Sequence, residues 1–431
     1  VRRLGPALEV RDYRLWWLAL MGMGVSLQML EVAIGWEVYA QHRSALDLGW
    51  IGLAEFVPMF VLALPAGQLA DHVPRRLIFA GSLVVGAAVG VGLALVSGAG
   101  VTAIAPYLGL AAGSGVAMAL GTPAARAMSP TLVPPELLAS AMTLRSIATQ
   151  SAQVVGPALG GLLYGVSPSF VYLLAAGSCV VASGLVMTMR PGQAAAAATA
   201  PNAQTHDVAD VRSVLEGLRF VKRTPILLGA ILLDLLAVLF GGAVGLLPIF
   251  ARSILHVGAA GLGILRAAPA VGALLGAAVI TRRPVAGRAG RLLLGVVLLY
   301  GASIVVFGLS RFYPLSLGAL AVSGFVDLYS MNIRSTTVAL ASPDRLRGRV
   351  NAIEMVFISA SNQLGYFESG VAASLVGTIP AVVGGGVMTM LIALSWGRLF
   401  PALANVDRLE QIRPDSESAP GARQSPAWAP R

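Results

Sequence analysis

Runs of about 20 mostly apolar residues, divided by short polar stretches, organise this chain. A helix rises about 1.5 Å per residue, so about 20 such residues cross the hydrocarbon core of a bilayer. The runs fall at about 15–40, 49–70, 77–97, 101–125, 138–164 and 169–189. After a polar stretch they resume at about 226–251, 260–281, 291–310, 314–341, 348–375 and 379–399. The pattern predicts an all-α membrane protein with twelve transmembrane helices. It divides into an N-terminal six-helix bundle over 1–189, a linker over 190–225, a C-terminal bundle over 226–400 and a tail over 401–431. Within the linker, Val211, Val214, Leu215, Leu218 and Val221 recur at helical spacing, with Arg212, Glu216, Arg219 and Lys222 between them. That spacing predicts an amphipathic helix on the cytoplasmic membrane surface. The tail turns rich in Pro, Ser and Ala and is expected to be disordered.

Composition agrees with a bilayer as solvent. Of the 431 residues 56% are hydrophobic and 12% charged, about half the charged share of a soluble domain. A formal net charge of +10 raises nucleic acid as a partner, but the arginines sit between the apolar runs and build no basic domain, so none is expected. Their placement instead records topology. Of the 30 Lys and Arg, Arg43, Arg252 and Arg311 alone fall on outer segments when the N-terminus is inside. Arg126, Arg145, Arg266 and Arg334 lie within spans, and the rest lie on cytoplasmic segments or span ends. Basic residues stay on the untranslocated side, which predicts two cytoplasmic termini. Arg2, Arg3, Arg11 and Arg14 precede an apolar stretch too long for a signal-peptide core, so the first helix is expected to remain an anchor. The single cysteine, Cys179, lies in an apolar run and reads as packing. His42, His72, His206 and His256 are too scattered for a metal site.

The halves repeat each other. Gly52 and Pro58 enclose Glu55, and Gly263 and Pro269, each 211 residues later, enclose Arg266. The same offset of 211 pairs Ala141 with Ala352 and Ile147 with Ile358. A duplicated six-helix unit of this kind places a binding site between the halves near the membrane midplane.

Charge in hydrocarbon is costly, and ionisable residues there face a cavity or a partner. The interiors of spans 3, 6, 9 and 12 carry no Asp, Glu, Lys or Arg. The other spans carry Glu31, Glu37, Glu55, Arg126, Arg145, Asp234, Arg266, Asp327, Arg334, Glu354 and Glu368. The division predicts four lipid-facing helices and eight around an aqueous cleft. Glu31, Glu55 and Asp327 lie well inside their spans, while Glu37 approaches the outer end of its own. Gln28 lies three residues before Glu31, on the same helix face. A carboxylate in a partly dry cleft can take up and release protons near neutral pH. Glu31, Gln28, Glu55, Asp327 and Arg266 are therefore the candidates for proton coupling or the substrate cavity. A structural ion pair, such as Glu55 with Arg266, is the competing reading.

Between spans 2 and 3 stands Gly67-Gln-Leu-Ala-Asp71-His-Val-Pro-Arg75-Arg76. It resembles the signature loop of the major facilitator superfamily at Gly67, Asp71, Arg75 and Arg76, with His72 in place of the usual Arg and Pro74 in place of the usual Gly. Asp71 ends span 2 where span 11 would begin, so it can meet the positive end of that helix and pair with Arg75. Such a contact would form a cytoplasmic gate. In span 5, Gly156-Pro157-Ala-Leu-Gly160-Gly161 resembles the core of the superfamily's antiporter motif, while Thr143 and Ala152 stand where its upstream glycines would be. Small residues at this spacing also allow close helix packing on their own. The span 4 pattern of the superfamily is absent. In its place Thr122-Pro-Ala-Ala-Arg126, Gly217-Leu-Arg-Phe-Val-Lys-Arg-Thr-Pro225 and Arg345-Leu-Arg-Gly-Arg-Val-Asn-Ala352 resemble the bacterial branch with enterobactin and macrolide exporters.

The resemblance spans about Asp12 to Leu399. It implies the major facilitator fold, alternating access and proton-driven export of a small amphipathic molecule, a drug or a siderophore. It implies no cofactor beyond the proton gradient, and no partner beyond the substrate and the lipid bilayer, with a monomer as the simplest expectation. A lipid flippase or an importer could use the same scaffold. A non-transporting receptor or scaffold has no use for so many intramembrane acids. No nucleotide loop, zinc motif or nucleophile constellation suggests an enzyme.

Overall fold

The computed structural model describes residues 5–190, 211–282 and 287–408, apart from a few side chains within helices. The first six spans are α1 (Arg11–His42), α2 (Ala45–His72), α3 (Arg75–Gly98), α4 (Ile104–Met128), α5 (Leu138–Tyr164) and α6 (Pro168–Met187). The linker contributes α7 (Val211–Arg223). Spans seven to twelve are α8 (Pro225–Gly241), α9 (Gly258–Arg282), α10 (Ala289–Leu309), α11 (Tyr313–Ala341), α12 (Asp344–Val376) and α13 (Thr378–Leu399). Local chemistry sets the short turns between them. Ser44 accepts the amide of Asp47 at 3.2 Å to cap α2, and Gly377 takes φ 92° to turn α12 into α13. The face carrying the 43–44, 99–103 and 165–167 turns is called distal below, and the face nearer the chain ends proximal.

Among the described helices ten are long and apolar enough to cross a membrane. The two spans that miss this standard, α5 and α12, are the ones that pack across the boundary between halves, α5 on α9 and α12 on α2. Spans 3, 6, 9 and 12, now α3, α6, α10 and α13, present Val84, Val181, Leu299 and Leu394 outward, and they supply no residue to the central cavity.

The repeat has a structural meaning. Gly52 lets α2 approach α12, where a Cβ would stand 2.9 Å from that of Tyr366. Gly263, its counterpart 211 residues later, lets α9 approach α5, with a would-be Cβ 3.1 Å from the Cα of Gly161. Each half thus uses the same glycine to close on the other.

The linker helix does more than lie on a surface. Val221 is buried against Leu227, Val338 and Val350, and Glu216 pairs with Arg349 of α12. The described part of α7 is therefore docked on the C-terminal half. The first residues of the expected tail also pack: Pro401–Ala404 is helical, Leu403 is buried, and the Asp407 carboxylate accepts the Arg288 amide at 3.0 Å. Residues 191–210 and the tail beyond 408 lie outside the described chain.

Candidate functional site

A cavity of about 290 Å³ lies at the centre of the N-terminal half. Its walls are α1 (Leu20, Met23, Gly24, Leu27, Gln28, Leu30 and Glu31), α4 (Ser114, Met118, Thr122) and α5 (Thr149, Ala152, Gln153), with Glu55 from α2. From the other half it takes Gln363 of α12. Small residues make the fit close: the would-be Cβ of Gly156 on α5 falls 2.5 Å from the Cβ of Gln28, and that of Gly160 falls 2.9 Å from the Cα of Met29. The space runs from Glu31 proximally to Leu20 and Thr122, about 16 Å along α1.

Two carboxylates close the distal end of the cavity. Glu31 forms an ion pair with Arg266 of α9, a contact between the halves. Glu55 is 9% exposed and makes no ion pair among the described residues. Glu31, Arg266 and the Gln363 amide surround it, and Arg266 also faces the Tyr366 hydroxyl. Two acids thus share one guanidinium. Of the two pairings open to Arg266, it takes Glu31 and not Glu55.

Distal to this group the halves are sealed. Would-be Cβ atoms at Gly161 and Gly263 would each strike the opposite backbone, as would that at Gly370, and one at Gly49 would sit tightly against Phe367. The Tyr39 and Ser253 hydroxyls are 2.8 Å apart, and Arg252 sits 5.4 Å over the Trp36 ring. The apolar core is continuous here, joining Val32, Tyr39 and Leu48 to Leu246, Phe250 and Leu262. The Tyr39–Ser253, Glu31–Arg266, Arg252–Trp36 and Trp50–Phe367 contacts between halves all lie at the level of Glu31 or farther distal. The proximal cores belong to one half each.

Residues 5–420 match the family described as transmembrane secretion effectors. The chain belongs to that family, within the major facilitator superfamily. An enterobactin exporter (EntS) of Escherichia coli O157:H7 is 26% identical over 405 residues, 92% of this chain and 93% of that protein. The one from Shigella boydii serotype 18 is 28% identical over 337 residues, 76% and 77% of the two chains. The fold matches a bacterial homologue of the human lysosomal transporter Spinster, in an inward-facing and unoccupied conformation. The TM-score there is 0.71 at 15% identity, covering 92% of this chain and 98% of that one. This major facilitator protein is therefore a multi-pass membrane protein and a secondary transporter of that superfamily.

The superfamily's motifs can now be placed on this transporter. Gly156 and Gly160 seat α5 on α1, the Pro157 carbonyl packs closely against Gly263, and Gly161 meets α9 directly, so the span 5 motif serves two interfaces at once. In the loop after α2, Arg75 donates to the Ala127 carbonyl at 3.4 Å, and Arg76 donates to the Met189 carbonyl. Both tie the loop to the proximal ends of their own half. The side chains of Gly67 and Asp71 lie outside the described set.

Three expectations change. Asp327 does not line the central cavity. It shares a separate small void with Asp234, Tyr300 and Ser330 inside the C-terminal half. Arg334 there pairs with Asp234, and its Nε lies 3.2 Å from the Ser330 hydroxyl oxygen. An intramembrane acid can be neutralised within its own half, so charge in eight spans does not imply eight helices around one cleft; α8, α9 and α11 give the central cavity no wall residue. Glu37 also departs from expectation. Instead of nearing outer water it is buried, accepting the Tyr172 hydroxyl at 2.6 Å and the Tyr107 hydroxyl at 2.8 Å. The cavity residues missed in the sequence are neutral: Gln153, Gln363, Thr122, Thr149 and Ser114. Amides inside apolar runs were the available signal, since they too need partners in hydrocarbon.

Proposed function

We propose that the protein is a proton-coupled exporter of small amphipathic molecules, drug-like or siderophore-like, working by alternating access in a bacterial inner membrane. The arrangement that carries this reading is a distally sealed cavity lined by Glu31 and Glu55, with Arg266 of the other half paired to Glu31 at its end. With both termini cytoplasmic, the distal face is the outer one and the cavity faces the cytoplasm, ready to load cargo. Glu31 and Glu55 outnumber Arg266, so a bound proton balances the site, and its release or capture changes which contacts Arg266 can keep. Gly67, Asp71, Arg75 and Arg76 form the cytoplasmic gate that closes when the outer seal opens. The enterobactin exporters among its relatives support export as the direction. The proton gradient supplies the energy, with no cofactor. The protomer works as a monomer.

The test is transport of amphipathic dyes, with a siderophore arm, into inverted vesicles carrying an imposed pH gradient. Gradient-driven accumulation is expected in the wild-type protein and lost in Glu31→Gln/Glu55→Gln. Accumulation that ignores the gradient and survives this double substitution together with Asp327→Asn sinks the proton-coupling reading.

A further inference from the structure

Two arginines stand at the proximal mouth of the central cavity, at the end opposite its carboxylates. Arg126 lies on α4 one turn proximal to Thr122, and Arg145 lies on α5 one turn proximal to Thr149. Residues four apart share a helix face, and both threonines line the cavity, so both arginines lie along the approach to it. Arg126 is exposed there and Arg145 partly so. The turn of α5 that carries Arg145 is pinned to α1: the Tyr13 hydroxyl donates to the Ala141 carbonyl at 2.6 Å, and the Trp17 indole donates to the Leu144 carbonyl at 2.8 Å. The two guanidinium groups are near enough to repel each other. Among the described residues no carboxylate pairs with Arg145. Topology does not call for it either, since it stands about two turns inside α5, beyond the loop where basic residues set orientation. Like charges held together in this way gain most from an anion placed between them.

The wall next to the pair fits the rest of an amphipathic molecule. Leu20 and Met23 of α1 and Met118 of α4 give apolar, adaptable surface just inside the mouth. A negative group held at the mouth stays about 16 Å or more from Glu31, the length of the cavity along α1, so the distal carboxylates do not oppose it at close range. We propose that Arg126 and Arg145 form an anion site at the cytoplasmic mouth, which receives the carboxylate or phosphate group of an amphipathic cargo while its apolar body enters the cavity. This inference rests on the reading of the chain as an exporter and adds a recognition site to it. Guanidinium groups suit the task, because each can hold a carboxylate or phosphate through two parallel hydrogen bonds.

The experiment is isothermal titration calorimetry on the full-length protein in phosphatidylcholine nanodiscs, with no membrane gradient. The probe is 1-naphthyl phosphate, and 1-naphthol and 1-naphthylmethylammonium present the same ring without charge or with the opposite charge. The phosphate is expected to bind about tenfold or more tightly than either, and to weaken as salt is raised. Arg126→Gln and Arg145→Gln should each lose about tenfold in affinity for it, and Arg145→Lys, which keeps the charge, should lose less. Arg311→Gln, on the distal face, should bind as the wild type does, while a monodisperse gel-filtration profile verifies the fold of each variant. Phosphatidylglycerol added to the disc should leave the affinity within about threefold; strong competition would give the site to a lipid headgroup and overturn its assignment to cargo. Equal binding of the three probes, or wild-type affinity in a folded Arg126→Gln/Arg145→Gln protein, overturns the anion site itself. Because binding needs no gradient, a failure of gradient-driven transport in vesicles beside an intact anion preference would count against the exporter reading instead.

Discussion

Alanine at Gly161 should force the distal seal apart. The new Cβ would lie 2.9 Å from both the Cα and the amide nitrogen of Gly263, and it would also strike the Ala259 carbonyl. All three are backbone atoms, so no side-chain rotation relieves the contact and the two helices must separate. Overpacking of this kind costs about 1–3 kcal/mol. The cost falls on the state in which α5 and α9 touch at their distal ends, and not on the state in which they part. The equilibrium should move toward distal opening by about 5- to 150-fold. Thr149, on the cavity wall, can report this as Thr149→Cys in a Cys179→Ser background, since Cys179 is the sole native cysteine. A membrane-impermeant maleimide applied to the distal side should label Thr149→Cys faster when Gly161→Ala is added, and label it more slowly from the proximal side. Gly263→Ala should act in the same direction, because its Cβ meets Pro157 and Gly161. Gly295→Ala on α10, where nothing lies within 4 Å of a Cβ, is the control. Unchanged labelling in a folded Gly161→Ala protein would refute the reasoning.

Three further outcomes follow from named contacts. Arg266→Gln should lower thermal stability in detergent by about 3–5 kcal/mol, because Glu31 and Glu55 then lose their shared cation; adding Glu31→Gln should recover part of that loss, and strict additivity would argue against the pair. Tyr172→Phe removes a 2.6 Å hydrogen bond to buried Glu37 and should cost about 1–3 kcal/mol in the same melt, whereas an unchanged melt would mean that Glu37 does not depend on it. Glu216→Ala on α7 breaks a pair whose acid is half exposed, so the shift should stay within about 1 kcal/mol, and a larger one would show that α7 holds the C-terminal half together.

The spans and their approximate ends were legible because the bilayer imposes one rule on every crossing segment: backbone polar groups must be satisfied internally over a fixed thickness. The four helices with charge-free interiors were legible for a related reason, since charge in hydrocarbon is costly without compensation. The repeat was legible in Gly52 and Gly263 because close approach of two backbones admits no side chain. Pairing was not legible. Nothing in the order of residues says that Arg266 meets Glu31 rather than Glu55, since both acids occupy the same depth and the choice depends on how α9 rotates against α1 and α2. The same holds for Asp327, whose depth resembles theirs but whose half supplies Arg334 and Asp234.

The sequence by itself thus determined a twelve-span membrane protein in two related halves, together with its short list of buried charges. Hydropathy and charge act residue by residue against the solvent, and they can be read without knowing any neighbour. The tertiary structure alone decided which face is sealed, which acids share a cation and which half encloses the cavity. Those properties belong to contacts between helices far apart in the chain, and small differences in helix rotation exchange one partner for another.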